Sequence, residues 1–370
     1  MQVNYIKVKR TVRVILNIYL LKIMQYILLN NYFKQPKVYR HRTNILTQYT
    51  DHQLIETYRF DKATIQHIVN LISEDITSIT GKSKALTAEQ KVLIALKFFA
   101  TGNSFRQIAE TIGATKSSVS RSIREVSATL CSHSKEFIKF PTEIDEIKTI
   151  KKKFYDIAHF PEVIGAIDGT HIPILKPSTN DYIYINRKGY ASINCQIVVD
   201  SDLVIRNLVC KYPGSSHDAY ILRSSKLFTN FESKNDSSIL LGDSGYPLQN
   251  WLFTPFLNPL SEAEESYNYS HIRTRNTVER AIGVWKSRFR CISLIGGPLR
   301  FPPQTCPQII LATAILHNIA RTLNKQPDPI NDLIDEQLDP QFENYDEQNE
   351  NNDARELRSL FADAHFSSER

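Results

Sequence analysis

Val163-Ile-Gly-Ala-Ile-Asp168-Gly-Thr-His-Ile-Pro-Ile174 is the stretch whose reading decides the fold. Val163 to Ile167 is short, apolar and partly β-branched, which reads as a buried strand, bounded upstream by Pro161 and ended by the turn signal Asp168-Gly169. Such a strand delivers the Asp168 carboxylate to a sheet edge that water and ligands reach. Charged side chains are seldom buried without a partner, so this acid needs a reason. Two readings compete: an aspartate capping its own turn, and a metal ligand. Taken alone, the strand favours the turn.

Downstream, Asn194 to Asp200 and Leu203 to Cys210 read as two strands joined at Ser201-Asp202. Pro213 to Ser216 breaks the chain, and Asp218 opens a short helix. Ser238 to Gly242 is another apolar strand, ending in Asp243-Ser-Gly-Tyr246. A long helix is expected over Asn276–Arg290, with Val278, Ala281, Ile282, Trp285 and Phe289 as its apolar stripe. Trp251 and Phe253 read as core. Strands followed by late helices give an α/β domain with a mixed sheet.

Upstream, a helical pattern starts near Leu54, with Ile65, Ile68, Val69, Ile72 and Ile76 at helix spacing. Thr87-Ala-Glu-Gln90 is a capping-box signal for a helix carrying Leu93, Leu96 and Phe99. Ser104 caps a second helix that Gly113 ends, and a third runs from about Lys116 with Val119, Ile123, Val126 and Leu130 inward. Two short helices around a Gly turn, behind a supporting helix, make a helix-turn-helix pattern. Its third helix leaves Lys116, Arg121 and Arg124 outside among serines, suited to phosphates and base edges; a polar helical hairpin is the plainer reading. Lys148–Phe160 reads as a basic connecting helix.

Composition fits this picture. The 370 residues are 42% hydrophobic, enough to fill a core, and the formal charge is +6. From Gln326 onward 13 acidic residues face 3 basic ones, a charge of −10 that leaves +16 on residues 1–325. A basic body favours a polyanion such as DNA. The five cysteines are scattered and never form C-x-x-C, which points to a reducing compartment without a zinc site or disulfide framework. Val12–Leu29 is interrupted by Arg13, Asn17, Lys22 and Gln25, and reads as an amphipathic helix rather than a membrane span. Residues 1–50, with Lys7, Lys9, Arg10, Arg13, Lys34, Lys37, Arg40 and Arg42, form a basic extension, read either as a nucleic-acid arm or nuclear address or as a solvated terminus.

Four acids then stand out: Asp168, Asp218, Asp243 and Glu279, separated by 50, 25 and 36 residues. Strand ends in one sheet can converge on a ligand, and clustered carboxylates are unfavourable unless a cation neutralises them. Oxygen ligands suit Mg²⁺ or Mn²⁺, and a pair of such ions about 3.5–4 Å apart serves phosphodiester chemistry. Singly, each acid has a plainer reading as a turn, a helix cap or, for Glu279, a solvated partner of Lys286 or Arg275. Arg187 and Lys188, in Asn186-Arg-Lys-Gly189, and Lys286, seven residues after Glu279, are candidate phosphate holders; a surface turn and a solvated basic face compete equally.

Phe154-Tyr-Asp-Ile-Ala, the opening stretch, Asn186-Arg-Lys-Gly-Tyr, Pro213-Gly-Ser-Ser-His-Asp218, Gly242-Asp-Ser-Gly-Tyr-Pro-Leu and Asn276-Thr-Val-Glu279-Arg-Ala-Ile-Gly together resemble the PIF/Harbinger family of DDE transposases. Within it, the nearest resemblance is to the Harbinger-transposase-derived nucleases of animals, over roughly residues 55–320. The resemblance implies an RNase H-like catalytic domain with a mixed sheet, a DDE triad at Asp168, Asp243 and Glu279, and Asp218 as a further divalent-metal ligand. It also implies a preceding helix-turn-helix domain, DNA as substrate, and a Myb-like partner protein that supplies DNA binding and nuclear import.

The expected organisation is therefore a basic extension (1–50), an all-α helix-turn-helix domain (51–140), an RNase H-like nuclease domain (141–325) and an acidic, flexible tail (326–370). The expected function is metal-dependent hydrolysis or transfer of DNA phosphodiester bonds, against the alternative of a domesticated DNA-binding or scaffold protein. The expected compartment is the nucleus, with the cytoplasm second. Homo-oligomerisation stays open.

Overall fold

The computed structural model describes residues 16–27, 44–77, 85–233, 237–323 and 352–367. The cations expected to form a basic arm, Lys7 to Arg13 and Lys34 to Arg42, lie outside them. Residues 1–42 and 43–370 are two separate units. In the first, residues 16–27 form helix α1 with every side chain exposed, a helix where one is expected. No helix among the described residues is long and apolar enough to cross a membrane.

The second unit begins with helices α2 (Ile45–Gln48), α3 (Asp51–Tyr58), α4 (Lys62–Ile76), α5 (Ala88–Thr101), α6 (Phe105–Ile112), α7 (Lys116–Ser132), α8 (Ser134–Phe137) and α9 (Ile144–Ala158). Local chemistry fixes their ends. Thr87 and Gln90 close a capping box at α5, Ser104 and Gln107 do the same at α6, and Gly113 ends α6 at φ 72°, a conformation glycine adopts without strain. The residues expected to face inward on α4, α5 and α7 are buried.

Five strands follow: β1 (Val163–Pro173), β2 (Ser192–Val199), β3 (Ile205–Pro213), β4 (Ile239–Leu241) and β5 (Leu252–Phe253). They form one sheet in the order β3-β2-β1-β4-β5; β1, β2 and β3 pair antiparallel, while β4 and β5 run parallel to β1. Helices α10 (Asp218–Arg223) and α11 (Lys226–Glu232) lie between β3 and β4 in sequence; α12 (Glu262–Arg288) and α13 (Cys306–Leu323) follow β5, and α14 (Asn352–Phe366) comes last. The protein is a mixed α/β fold, as expected.

Four expectations are corrected. First, Asp168-Gly169 is no turn: β1 continues to Pro173 because Asp168 pairs with Ile197 and Gly169 with Gln196 on β2, so ladder pairing overrides the local Asp-Gly signal, and Asp168 stands on the central strand rather than at a sheet edge. Second, α12 starts at Glu262, well before Asn276. Its first half buries Tyr267, Ser270, His271 and Thr274, which leave no apolar stripe to read. Third, residue 140 does not divide two cores. One buried cluster joins Ile65, Leu96 and Val126 of the helical region to Ile197, Trp285 and Ile315. Asn318 of α13 makes the same link with hydrogen bonds, donating to the carbonyls of Phe137 and Ile205 at 2.8 Å and accepting from Ile205 N–H at 2.9 Å. Fourth, the tail is not loose throughout. α14 buries Ala354, Arg358 and Ala362; Phe361 stacks on Phe160; and the Arg358 guanidinium donates to the carbonyls of Thr254 and Pro255 while lying 4.1 Å from the Phe256 ring.

The sheet has two differently clothed faces. Ala166, Ile172, Ile193 and Ile197 share a buried cluster with Val278, Ala281 and Trp285 of α12 and with α13. Ile167, Val198, Leu240 and Leu252 pack instead with Leu222 of α10, Leu227 and Phe231 of α11, and Tyr246. The active residues inherit this division.

Candidate active site

Three carboxylates come within electrostatic reach of one another by three routes. Ala166 of β1 and Leu241 of β4 are register partners in parallel strands; two residues further along each chain stand Asp168 and Asp243. Along β1 the period of two points Asp168 to the same face as Ala166, the face that α12 covers. β4 stops short of Asp243, which closes its own turn by accepting from Gly245 N–H at 3.1 Å. The turn reading of Asp243 therefore holds as local structure without settling its role. Glu279 comes from α12, whose neighbouring Thr277 and Val278 are buried against the sheet.

Arg275, one helical turn before Glu279, ties this group together. Its guanidinium bonds the Glu279 carboxylate and approaches Asp168 Oδ2 at 3.7 Å. Burial pushes the Asp168 carboxyl up to about 8; Arg275 opposes the rise, and the charges of Asp243, Asp218 and Glu279 add to it. Burial likewise opposes the Arg275 charge, yet Asp168, Glu279 and Asp243 outweigh it and raise that group. Burial sets the sign at Asp168, and the surplus of acids sets it at Arg275.

Asp218 arrives from the other side. A Cβ built on Gly169 would stand 2.5 Å from both Asp218 carboxylate oxygens, so only glycine lets this acid press against β1. Asp168 and Gly169 are consecutive on a strand and point to opposite faces, one toward Arg275 and the other toward Asp218. Asn194 Nδ2 donates to Asp218 Oδ1 at 2.8 Å. Burial raises the Asp218 carboxyl, with the Asn194 bond the main opposing influence. Among the described residues no three of His, Cys, Asp and Glu close around one point as metal ligands do. The four expected acids are neighbours, divided by a strand.

The donor set still suits a hard divalent cation: every candidate donor is oxygen, the acids are partly or wholly buried, and burial with neighbouring negative charge raises the Asp168 and Asp218 carboxyls. The Tyr246 hydroxyl points the same way, being buried without a protein partner and subject to the charges of Asp218, Asp168 and Asp243. It carries no charge, and sequence offered no signal for it beyond its place after Asp243. Arg275 was visible only as a pairing partner for Glu279, and Asn194 only as the start of a strand.

The expected cations fall into two groups. Lys286 does not meet Glu279; its ammonium donates to the His171 carbonyl at 3.1 Å, and burial lowers its pKa to about 8. Arg187 and Lys188 are exposed on a turn that Asn186 holds by accepting from the N–H groups of Lys188 and Tyr190. Burial, then the charges of Lys286, Arg187 and Lys188, brings His171 down to about 4. These three cations thus converge near β1, and the Arg187 charge acts on Asp218 as well. Lys116, Arg121 and Arg124 are exposed on α7 and stay outside the acid cluster.

Comparison with known proteins shows the family. Residues 167–318 match a family described as the DDE superfamily endonuclease. The human protein named "Putative nuclease HARBI1" is 35% identical over 276 residues, covering 74% of this chain and 79% of the relative. Its namesake from Xenopus laevis is 31% identical over 323 residues, covering 87% and 92%. The Arabidopsis thaliana protein named "Protein ALP1-like" is 28% identical over 309 residues, covering 75% and 74%. No solved structure matches the chain significantly.

Proposed function

The chain belongs to the Harbinger-transposase-derived nucleases of the DDE superfamily, and from that membership we propose that it cleaves or transfers DNA phosphodiester bonds with divalent metal held by Asp168, Asp243 and Glu279. Family membership makes it a nuclease and implies an RNase H-like fold, with which the strand order β3-β2-β1-β4-β5 agrees. The observation that supports the assignment to residues is the parallel pairing of Ala166 with Leu241, from which Asp168 and Asp243 each follow two residues later, together with the charge of Asp243 acting on Asp168.

Bound Mg²⁺ or Mn²⁺ supplies a water of lowered pKa and stabilises charge on the phosphate oxygens. The chain's own groups do the rest. Asp168, on a central strand, and Glu279, on a packed helix, fix oxygen donors on rigid elements. Asp218, braced by Asn194, adds negative charge from behind Gly169 and serves the metal set from the opposite face. Lys286, Arg187 and Lys188 orient the phosphate. The pair α6–α7 acts as a helix-turn-helix, with Lys116, Arg121 and Arg124 on phosphates and base edges. This reading divides the second unit by role into a DNA-reading part, up to about residue 140, and a catalytic part after it. A nuclear location and a Myb-like partner complete it.

Supercoiled plasmid incubated with the purified chain and Mg²⁺ or Mn²⁺ tests the assignment. Asp168→Ala and Asp243→Ala should each abolish nicking and linearisation. Undiminished cleavage in both variants would overturn it.

A further inference from the structure

The gap between Asp168 and Glu279 is filled. Arg275 enters from α12 with its guanidinium on both carboxylates, bonded to Glu279 and 3.7 Å from Asp168 Oδ2. Only 17% of the Arg275 side chain is exposed, and Thr274 and Thr277 beside it are buried, so the helix fixes where this cation stands. A guanidinium presents its donors in a rigid plane that matches carboxylate oxygens. The carboxylate lone pairs that accept from it are those a metal ion such as Mg²⁺ would use at about 2.0–2.1 Å.

We propose that Arg275 is a resident counter-cation: it occupies the divalent-metal position between Asp168 and Glu279, and metal loads only when the guanidinium swings out. The inference rests on the reading of those two acids as metal ligands. Two physical facts make occupancy exclusive. The same oxygen lone pairs cannot serve the guanidinium and the ion together, and a fixed positive charge within hydrogen-bonding range repels a dication. In this closed state Glu279 is drawn to Arg275. The swing would take the guanidinium toward the outer side of α12, where Ile272 and Asn276 are exposed. While seated, Arg275 spares the metal-free protein the repulsion of its own acids.

The test is Mn²⁺ binding to the whole chain without DNA, followed by the electron paramagnetic resonance of the free ion. If the closed state is the main form, removing Arg275 releases the fraction it withheld, and the apparent Kd of Arg275→Gln falls by about tenfold or more. Arg275→Lys keeps the charge but loses the fork, and should bind more tightly than wild type and less tightly than Arg275→Gln. Millimolar methylguanidinium should restore weaker binding to Arg275→Gln. Asp168→Asn should bind far less Mn²⁺. If Asp168→Asn loses binding while Arg275→Gln and Arg275→Lys bind no more tightly than wild type, the counter-cation proposal is overturned and the metal site stands. Undiminished binding by Asp168→Asn overturns both.

Discussion

Gly169 shows how little room the site allows at single positions. A methyl there meets the Asp218 carboxylate at 2.5 Å, so Gly169→Ala should destabilise the fold by about 1–3 kcal/mol, the usual cost of overpacking. In an Asp218→Ala background the same change should cost little, because the clashing group is gone. Urea unfolding of the four proteins in this cycle measures the coupling, and simple additivity would sink the explanation. Lys286 makes a second residue-scale prediction. Its pKa near 8 lies below the ordinary lysine value, so its charge is present below pH 8 and fades above it. If it grips phosphate, DNA affinity should weaken as pH rises through about 8, whereas Lys286→Arg should keep its affinity. Parallel pH profiles by fluorescence anisotropy would rule Lys286 out. The candidate acids were legible as residue types; the position of Asp218 at a helix start and of Asp243 just after a strand was legible too, whereas Asp168 lies inside β1 and not at its end. Their separation by β1 was not, since one Gly and one Asp side by side carry no sign of which face each will serve.

At the scale of elements, legibility followed the apolar pattern. α5, α6 and α7 announced themselves through capping residues and inward leucines, isoleucines and valines, and they fold as read. α14 did not, because the residues it buries are two alanines and an arginine inside an acidic segment. Its docking depends on Arg358, whose loss would leave the Thr254 and Pro255 carbonyls without that donor. Arg358→Ala should lower stability by about 1–3 kcal/mol, read by denaturant midpoint with an unchanged m-value. An unshifted midpoint would show that α14 adds nothing to the folded unit. α7 carries its own test. If Arg121 and Arg124 each neutralise a phosphate, their joint replacement by alanine should reduce the salt slope of DNA binding by about 2. A slope equal to that of wild type would remove α7 from the DNA interface.

Over the whole molecule, two histidines embedded in the packing set a limit on acid tolerance. His271 donates from Nε2 to the Phe253 carbonyl; His317 donates to that of Leu203 and accepts from Arg288. Burial lowers both to about 3, with the Arg288 charge adding to it at His317. The unfolded chain binds these protons near pH 6.5 and the folded chain does not. The stability they contribute is therefore present above pH 6.5 and is lost as pH falls from there toward 3, by about 2 kcal/mol per histidine at pH 5. Thermal melts at pH 7 and pH 5 check this in an Asp168→Asn background, which removes the opposite contribution of that raised carboxyl, and equal Tm values there would contradict it.

The buried cluster that ignores residue 140 bears on how such an enzyme would choose its cut. Asn318 bonds α8 and β3 at once, and α7 packs in the same core as β2 and α12. A reader and a cutter joined by a tether sample many separations, but two parts of one rigid body have a single span. On the proposed roles of α7 and Asp168 the protein would be a caliper: the phosphates gripped by α7 and the bond presented to Asp168 would be set apart by one length, and cleavage should fall at one fixed offset from the bound sequence.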